Sequence, residues 1–162
     1  MTSVYLDSSA ALKLIVAEAG SDALRDWSQR TRPDFVACDL VRTEVLRACR
    51  RHSTDATARG RSVLEAITLF PVSTDLYTAA AFLEPSSMRS LDAIHLAAAL
   101  SLGDDISGVV TYDERLAEAE NPGRRHQATA RLSPGWRWPE GASASSRSRR
   151  ASMMRVLAAG KG

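Results

Sequence analysis

The chain has 162 residues, enough for one compact domain and too few for two ordinary ones. Its 44% hydrophobic and 25% charged residues are normal for a soluble globular protein, and two cysteines are too few for a disulfide framework. Lys13 and Glu18 interrupt the only early apolar candidate for a membrane span, and residues 1–7 lack the features of a secretory signal, so the expected location is the cytoplasm.

In chain order, Val4-Tyr5-Leu6 is a short β-prone run that ends at Asp7, and helical character follows over 9–16. Ser21 is placed to cap a helix over 22–29. Phe35-Val36-Ala37 reads as a second strand, and Asp39 as the cap of a helix over 40–51. A further helix is expected over 55–66, a strand over 69–72, and a helix capped by Thr74 that runs to 82. Residues 90–102 form a long helical run whose only polar members after Ser90 are Asp92, His95 and Ser101. Gly108-Val109-Val110-Thr111 is a strand, followed at once by a helix over 114–120. Short strands alternating with helices imply an α/β domain with a mostly parallel central sheet flanked by helices.

The net charge of +2 hides a break near position 120. Residues 1–120 carry 12 Lys+Arg against 18 Asp+Glu, whereas residues 121–162 carry 9 against the single Glu140. The tail is also rich in Gly, Pro and Ser, a composition that buries too little apolar surface to offset its ordering entropy. The expected organisation is a folded acidic body over 1–120 and a disordered basic extension over 121–162. Trp136 and Trp138, with Arg137 between them, are aromatic groups suited to stacking on bases.

Sites in open parallel sheets form beyond the carboxyl ends of the strands. Asp7 and Asp113 each follow a strand-like run and project into that region. On a helix over 40–51, Leu40, Val41, Val45, Ala48 and Cys49 form one apolar stripe, and Glu44 falls inside it. Asp92 stands in the first turn of a helix that is apolar on nearly every side, where the helix dipole favours its charge. An acid near a core is costly unless it is paired or binds a cation. Glu44 or Asp92 taken alone reads more readily as a partner for arginines or a cap for backbone amides. Four such acids together point to a shared hard divalent cation. His95, one turn after Asp92, reads as a packed, hydrogen-bonded histidine rather than a general acid or base.

The segments Val4-Tyr5-Leu6-Asp7-Ser8-Ser9-Ala10, Arg42-Thr43-Glu44-Val45, Ser90-Leu91-Asp92-Ala93-Ile94-His95-Leu96-Ala97 and Val109-Val110-Thr111-Tyr112-Asp113-Glu114-Arg115-Leu116 resemble the four motifs of PIN-domain ribonucleases, in the expected order. The resemblance is closest to the VapC-type toxins of type II toxin–antitoxin pairs. It implies a three-layer PIN-like fold and an acidic quartet of Asp7, Glu44, Asp92 and Asp113, with Ser9 and Thr111 as polar supports. It further implies Mg²⁺, or Mn²⁺ in its place, held chiefly by Asp7 and Asp92, with Glu44 and Asp113 holding its waters or a second ion. The implied activity is RNA cleavage by a metal-activated water, leaving a 5′-phosphate and a 3′-hydroxyl. The implied partners are RNA, a cognate small antitoxin protein and a second copy in a homodimer.

The sequence departs from the family after Glu120. Asn121-Pro122-Gly123-Arg124-Arg125 does not continue into the apolar strand that completes the family sheet, so the last edge strand is expected to be missing or altered and Val109-Val110 to lie at an unpaired edge. The abrupt change in composition reads as a diverged or frame-shifted terminus. Phosphatase-like folds want a second Asp two positions after the first, where Ser9 stands, and a receiver domain wants a lysine late in its sheet, where the body has only Lys13. The alternative to an enzyme is a degenerate PIN-like fold that binds a partner or nucleic acid.

Overall fold

Alternate side chains along β1 (Ser3–Leu6) point to opposite faces of the sheet, and both faces are apolar. Val4 and Leu6 pack into one cluster, Tyr5 into another. A strand buried on both faces belongs at the centre of a parallel sheet. That is its place in this computed structural model, which describes residues 3–112 and the backbone of 131–132 and 155–156. With β2 (Asp34–Cys38), β3 (Thr68–Phe70), β5 (Gly108–Val110) and β7 (Arg155–Val156), it forms a parallel sheet in the order β3-β2-β1-β5-β7. A separate antiparallel pair joins β4 (Leu83–Glu84) to β6 (Arg131–Leu132).

Helices cover both faces, giving the three layers expected from the sequence. Buried residues of α1 (Ser8–Ile15), α2 (Ser21–Thr31), α3 (Leu40–His52) and α4 (Thr54–Glu65) join Val4, Leu6, Ala37 and Val110 in one core. On the opposite face, Ala98 and Ala99 of α6 (Ser90–Leu102) pack with Tyr5, Cys38 and Val109. α5 (Thr74–Ala81) lies against α6 through Leu76, Ala79, Leu96 and Ala97. α6 is not buried all round as its composition suggests, since Leu91 and Leu100 are exposed. None of the helices among the described residues is long and apolar enough to cross a membrane.

Several local expectations are corrected. Ser21 does not cap α2; its buried hydroxyl accepts from the Glu18 amide and donates to the Val16 carbonyl, both at 3.0 Å. The cap position belongs to Gly20 at φ 86°, where a Cβ would lie 3.0 Å from the Tyr112 ring, so conformation and space both demand glycine. Asp39 stands at the start of α3 but makes no capping bond, and its Oδ1 accepts from the Val72 amide at 3.3 Å. Ser73 rather than Thr74 caps α5, accepting from the Leu76 amide. The expected unpaired edge at Val109-Val110 is replaced by a short altered one: Gly108 and Val109 pair with Arg155 and Val156. Within the extension, 131–132 and 155–156 are strands, and its remaining residues lie outside those described. Asp113, the helix expected over 114–120, Trp136 and Trp138 lie outside the described residues.

The α3–α4 contact closes over Gly60, where an added Cβ would meet the Cys49 sulfur at 3.0 Å and Val45 at 3.7 Å. Gly60→Val is expected to lower stability by about 1–3 kcal/mol through overpacking. Urea unfolding should show the loss, and show it shrinking in a Cys49→Ala background.

Candidate active site

Strand order changes direction at β1, with β2 on one side and β5 on the other. The crevice beyond the carboxyl ends of β1 and β5 is thus where a parallel sheet offers a binding site. Asp7 leaves β1 into that crevice and Thr111 leaves β5 beside it, the Asp7 amide still donating to the Val110 carbonyl at 3.2 Å. The Asp7 side chain also caps α1. Its Oδ1 accepts from the Ala10 amide at 2.8 Å and from the Ser9 hydroxyl at 2.7 Å, and its Oδ2 accepts from the Thr111 hydroxyl at 2.7 Å. Ser9 in turn accepts from the Tyr112 amide at 2.8 Å, tying the two strand ends together.

Asp7 is only 4% exposed. Burial pushes its carboxyl above the ordinary value, while the donors from Ala10, Thr111 and Ser9, and the charge of His95, pull it part of the way back. The site therefore holds a carboxylate that its own hydrogen bonds only partly compensate. A cation would supply the remaining compensation.

Glu44, on α3, is half-buried at the edge of the apolar stripe and faces α6, not an arginine. Its Oε2 accepts from His95 Nε2 at 2.7 Å. His95 is 3% exposed, and its Nδ1 lies 2.9 Å from the Tyr5 hydroxyl, itself 3.2 Å from the Cys38 sulfur. Burial opposes charge on the imidazole, but its hydrogen bonds to Cys38 and Glu44 prevail and raise it to about 10. Burial likewise opposes charge on Glu44, and the His95 contact overrides it, so that carboxyl falls below its usual range. The packed, hydrogen-bonded histidine expected from the sequence is present. What the sequence did not disclose is its partner, or the role of Tyr5 beneath it. The local cues were the spacing of His95 from Asp92 and the inward alternation of Tyr5 against Val4 and Leu6.

Asp92 is half-buried in the first turn of α6, one turn before His95. The structure thus gathers Asp7, Ser9 and Thr111 into one cluster and Glu44 with His95 into another, with Asp92 on the His95 helix. Among the described residues no three His, Cys, Asp or Glu side chains converge closely enough to hold a metal as a closed cage. A closed cage is not what Mg²⁺ requires, since it keeps several waters and takes one or two carboxylates. Asp7 meets that need in chemistry, being a hard oxygen donor whose charge is incompletely balanced.

Comparison with known proteins supplies a family context. The PIN domain model matches residues 4–122. The chain is 44% identical over 119 residues to Ribonuclease VapC46 of Mycobacterium tuberculosis (strain ATCC 25618 / H37Rv), covering 74% of this chain and 91% of that protein. It is 40% identical over 119 residues to Ribonuclease VapC35 of the CDC 1551 / Oshkosh strain, covering 72% and 88% respectively. The fold is similar to the crystal structure of M. tuberculosis VapC20, a Sarcin-Ricin loop cleaving toxin, with a TM-score of 0.58 at 13% identity over 72% of this chain and 94% of that one.

The Asp7 environment has a stability consequence. Its folded carboxyl titrates above the ordinary 3.8, so the native state binds more protons than the unfolded chain between those two values. Stability contributed by this group therefore falls as pH rises through that window and stays low above it. Without divalent cations, Asp7→Asn is expected to raise the melting temperature at pH 7, by about 2–4 °C for each kcal/mol recovered. The difference should vanish below the unfolded value, and calorimetry across pH would show both.

Proposed function

We propose that this chain, which belongs to the PIN-domain family, is the endoribonuclease toxin of a type II toxin–antitoxin pair and that it hydrolyses RNA with a divalent cation held by its carboxylates. It is an endoribonuclease of the VapC kind. The cation, the residue roles and the partners are our assignments. The observation that carries them is the nearly dry Asp7 carboxylate at the strand switch point, held by three donors.

Asp7 and Asp92 are the main ligands in this reading. Glu44 and Asp113 hold the waters around the ion, or a second ion. Ser9 and Thr111 fix the rotation of the Asp7 carboxylate, because each bonds one of its oxygens. Mg²⁺, or Mn²⁺ in its place, held by these carboxylates would supply charge neutralisation at the scissile phosphate and a lowered pKa for the attacking water. Among the described residues the Ser9 hydroxyl is engaged by Asp7 and the Tyr112 amide, and both cysteines are buried, which favours a water as the nucleophile. The products would carry a 5′-phosphate and a 3′-hydroxyl.

The acidity of the body suits this mode, since empty carboxylates repel phosphate and bound cations reverse the local sign. The same acids suit a small antitoxin that reaches in with a basic side chain. Exposed Tyr77, Phe82 and Leu91, on and beside α5 and α6, favour a homodimer. The cytoplasm is the compartment where such a pair would act. A degenerate binding fold is disfavoured by the intact set of donors around Asp7.

Incubation with total RNA and Mg²⁺ should give discrete cleavage that a chelator abolishes. Asp7→Asn and Asp92→Asn should each lower the rate by more than about 100-fold, the upper range for losing merely a supporting residue. Both should retain a cooperative melting transition. Full activity in either folded variant would refute the ligand assignment.

A further inference from the structure

We propose that His95 is a positioning residue for Glu44: an imidazole braced from beneath by Tyr5 sets the orientation of the Glu44 carboxylate toward the cation. The proposal rests on the reading that Glu44 serves that cation, and it adds two residues, Tyr5 and His95, to the machinery.

The contact joins three elements. Tyr5 comes from β1, Glu44 from α3 and His95 from α6, with sequence separations of 51 between His95 and Glu44 and 90 between His95 and Tyr5. An ionised carboxylate can only accept, so Nε2 is the donor whatever the charge on the ring. The opposite nitrogen, Nδ1, meets the Tyr5 hydroxyl at 2.9 Å, and the two rings meet edge to face with centroids 6.1 Å apart. Ring rotation would break both bonds at once. The imidazole is therefore held in one orientation, and it offers the Glu44 carboxylate a fixed donor at 2.7 Å.

Stability alone is a weak explanation for this arrangement. Tyr5 is fully buried and His95 nearly so, beside a buried layer that also holds Cys38, Ala98, Ala99, Ile106 and Val109. Replacing buried charge-bearing pairs by well-packed apolar residues is often neutral or stabilising, so a phenylalanine and a leucine would serve packing as well. A partly exposed glutamate on a helix, by contrast, gains a defined direction from a fixed donor. Ligands of metal sites are commonly oriented in this way by hydrogen-bonded neighbours.

The test uses the full chain and two readouts: Mn²⁺ binding followed by electron paramagnetic resonance, and the Mg²⁺ concentration giving half-maximal RNA cleavage. His95→Leu removes the donor and keeps the bulk. It should weaken Mn²⁺ binding and raise the Mg²⁺ requirement by about 10- to 100-fold. His95→Gln restores an N–H near the Nε2 position and should recover most of that loss. Tyr5→Phe removes the brace, together with the hydroxyl's contacts to Cys38, and should shift both readouts in the same direction by a smaller factor. Wild-type Mn²⁺ affinity in a folded His95→Leu, or a glutamine variant no better than leucine, would overturn the proposal. If neither His95 variant folds, Tyr5→Phe decides, and an unchanged Mn²⁺ affinity there counts against it. Glu44→Gln separates the two levels of the argument: if its own Mn²⁺ affinity is unchanged, the reading of Glu44 fails, whereas a weakened Glu44→Gln beside an unaffected His95→Leu fails only the positioning role.

Discussion

A carboxylate held almost out of water at the end of a central strand constrains everything around it. Asp7 has to be where β1 ends, because only there can it cap α1, extend the ladder to Val110 and still face the crevice. Its two oxygens then require donors from the start of α1 and from the end of β5, which Ser9, Ala10 and Thr111 provide. The order of strands, the direction of α1 and the small residues after Asp7 all follow from that requirement. So does the chemistry, since donors that compensate a buried charge only in part leave an electrostatic vacancy suited to a cation.

Asp7 and Glu44 are held in contrasting ways. Asp7 is surrounded by neutral donors and is pushed toward its protonated form by burial. Glu44 faces an imidazole and is pulled toward its ionised form. One acid is thus poised to gain from an arriving cation, while the other is already charged and already oriented. Sites that must use chemically similar side chains for different purposes commonly separate them by environment.

Much of the fold was legible in local patterns. Val4-Tyr5-Leu6 before an acid, the run in α6 from Ser90 to Leu102 and the β5 strand were each read close to their observed places. The helix starts were less legible, because Ser73 and Thr74 are both good caps and adjacent, and nothing local says which hydroxyl reaches the amide. The two-residue strands β4, β6 and β7 are too short to show any period, and they are defined by pairing across distant segments. At the site, Ser9 and Thr111, singled out in the sequence as polar neighbours of the acids, both bond the Asp7 carboxylate. The Glu44–His95 pair did not announce itself, because it lies across 51 residues and joins two helices whose separate stripes look complete without it. Sequence marked both residues as odd for their surroundings. Only folding shows that each is the answer to the other.

The bond from Thr111 to Asp7 spans 104 residues, nearly the whole described body. A chain made from its N-terminus exposes Asp7 among the first residues and Thr111 among the last of that body. In the interval the carboxylate has Ser9 and the Ala10 amide, but not the strand that closes the crevice. Because β5 is the neighbour of β1 in the sheet, its arrival completes the centre of the fold and the crevice in a single event. Synthesis itself thus delays assembly of the crevice, so a chain whose synthesis stops before the fifth strand emerges lacks its finished form.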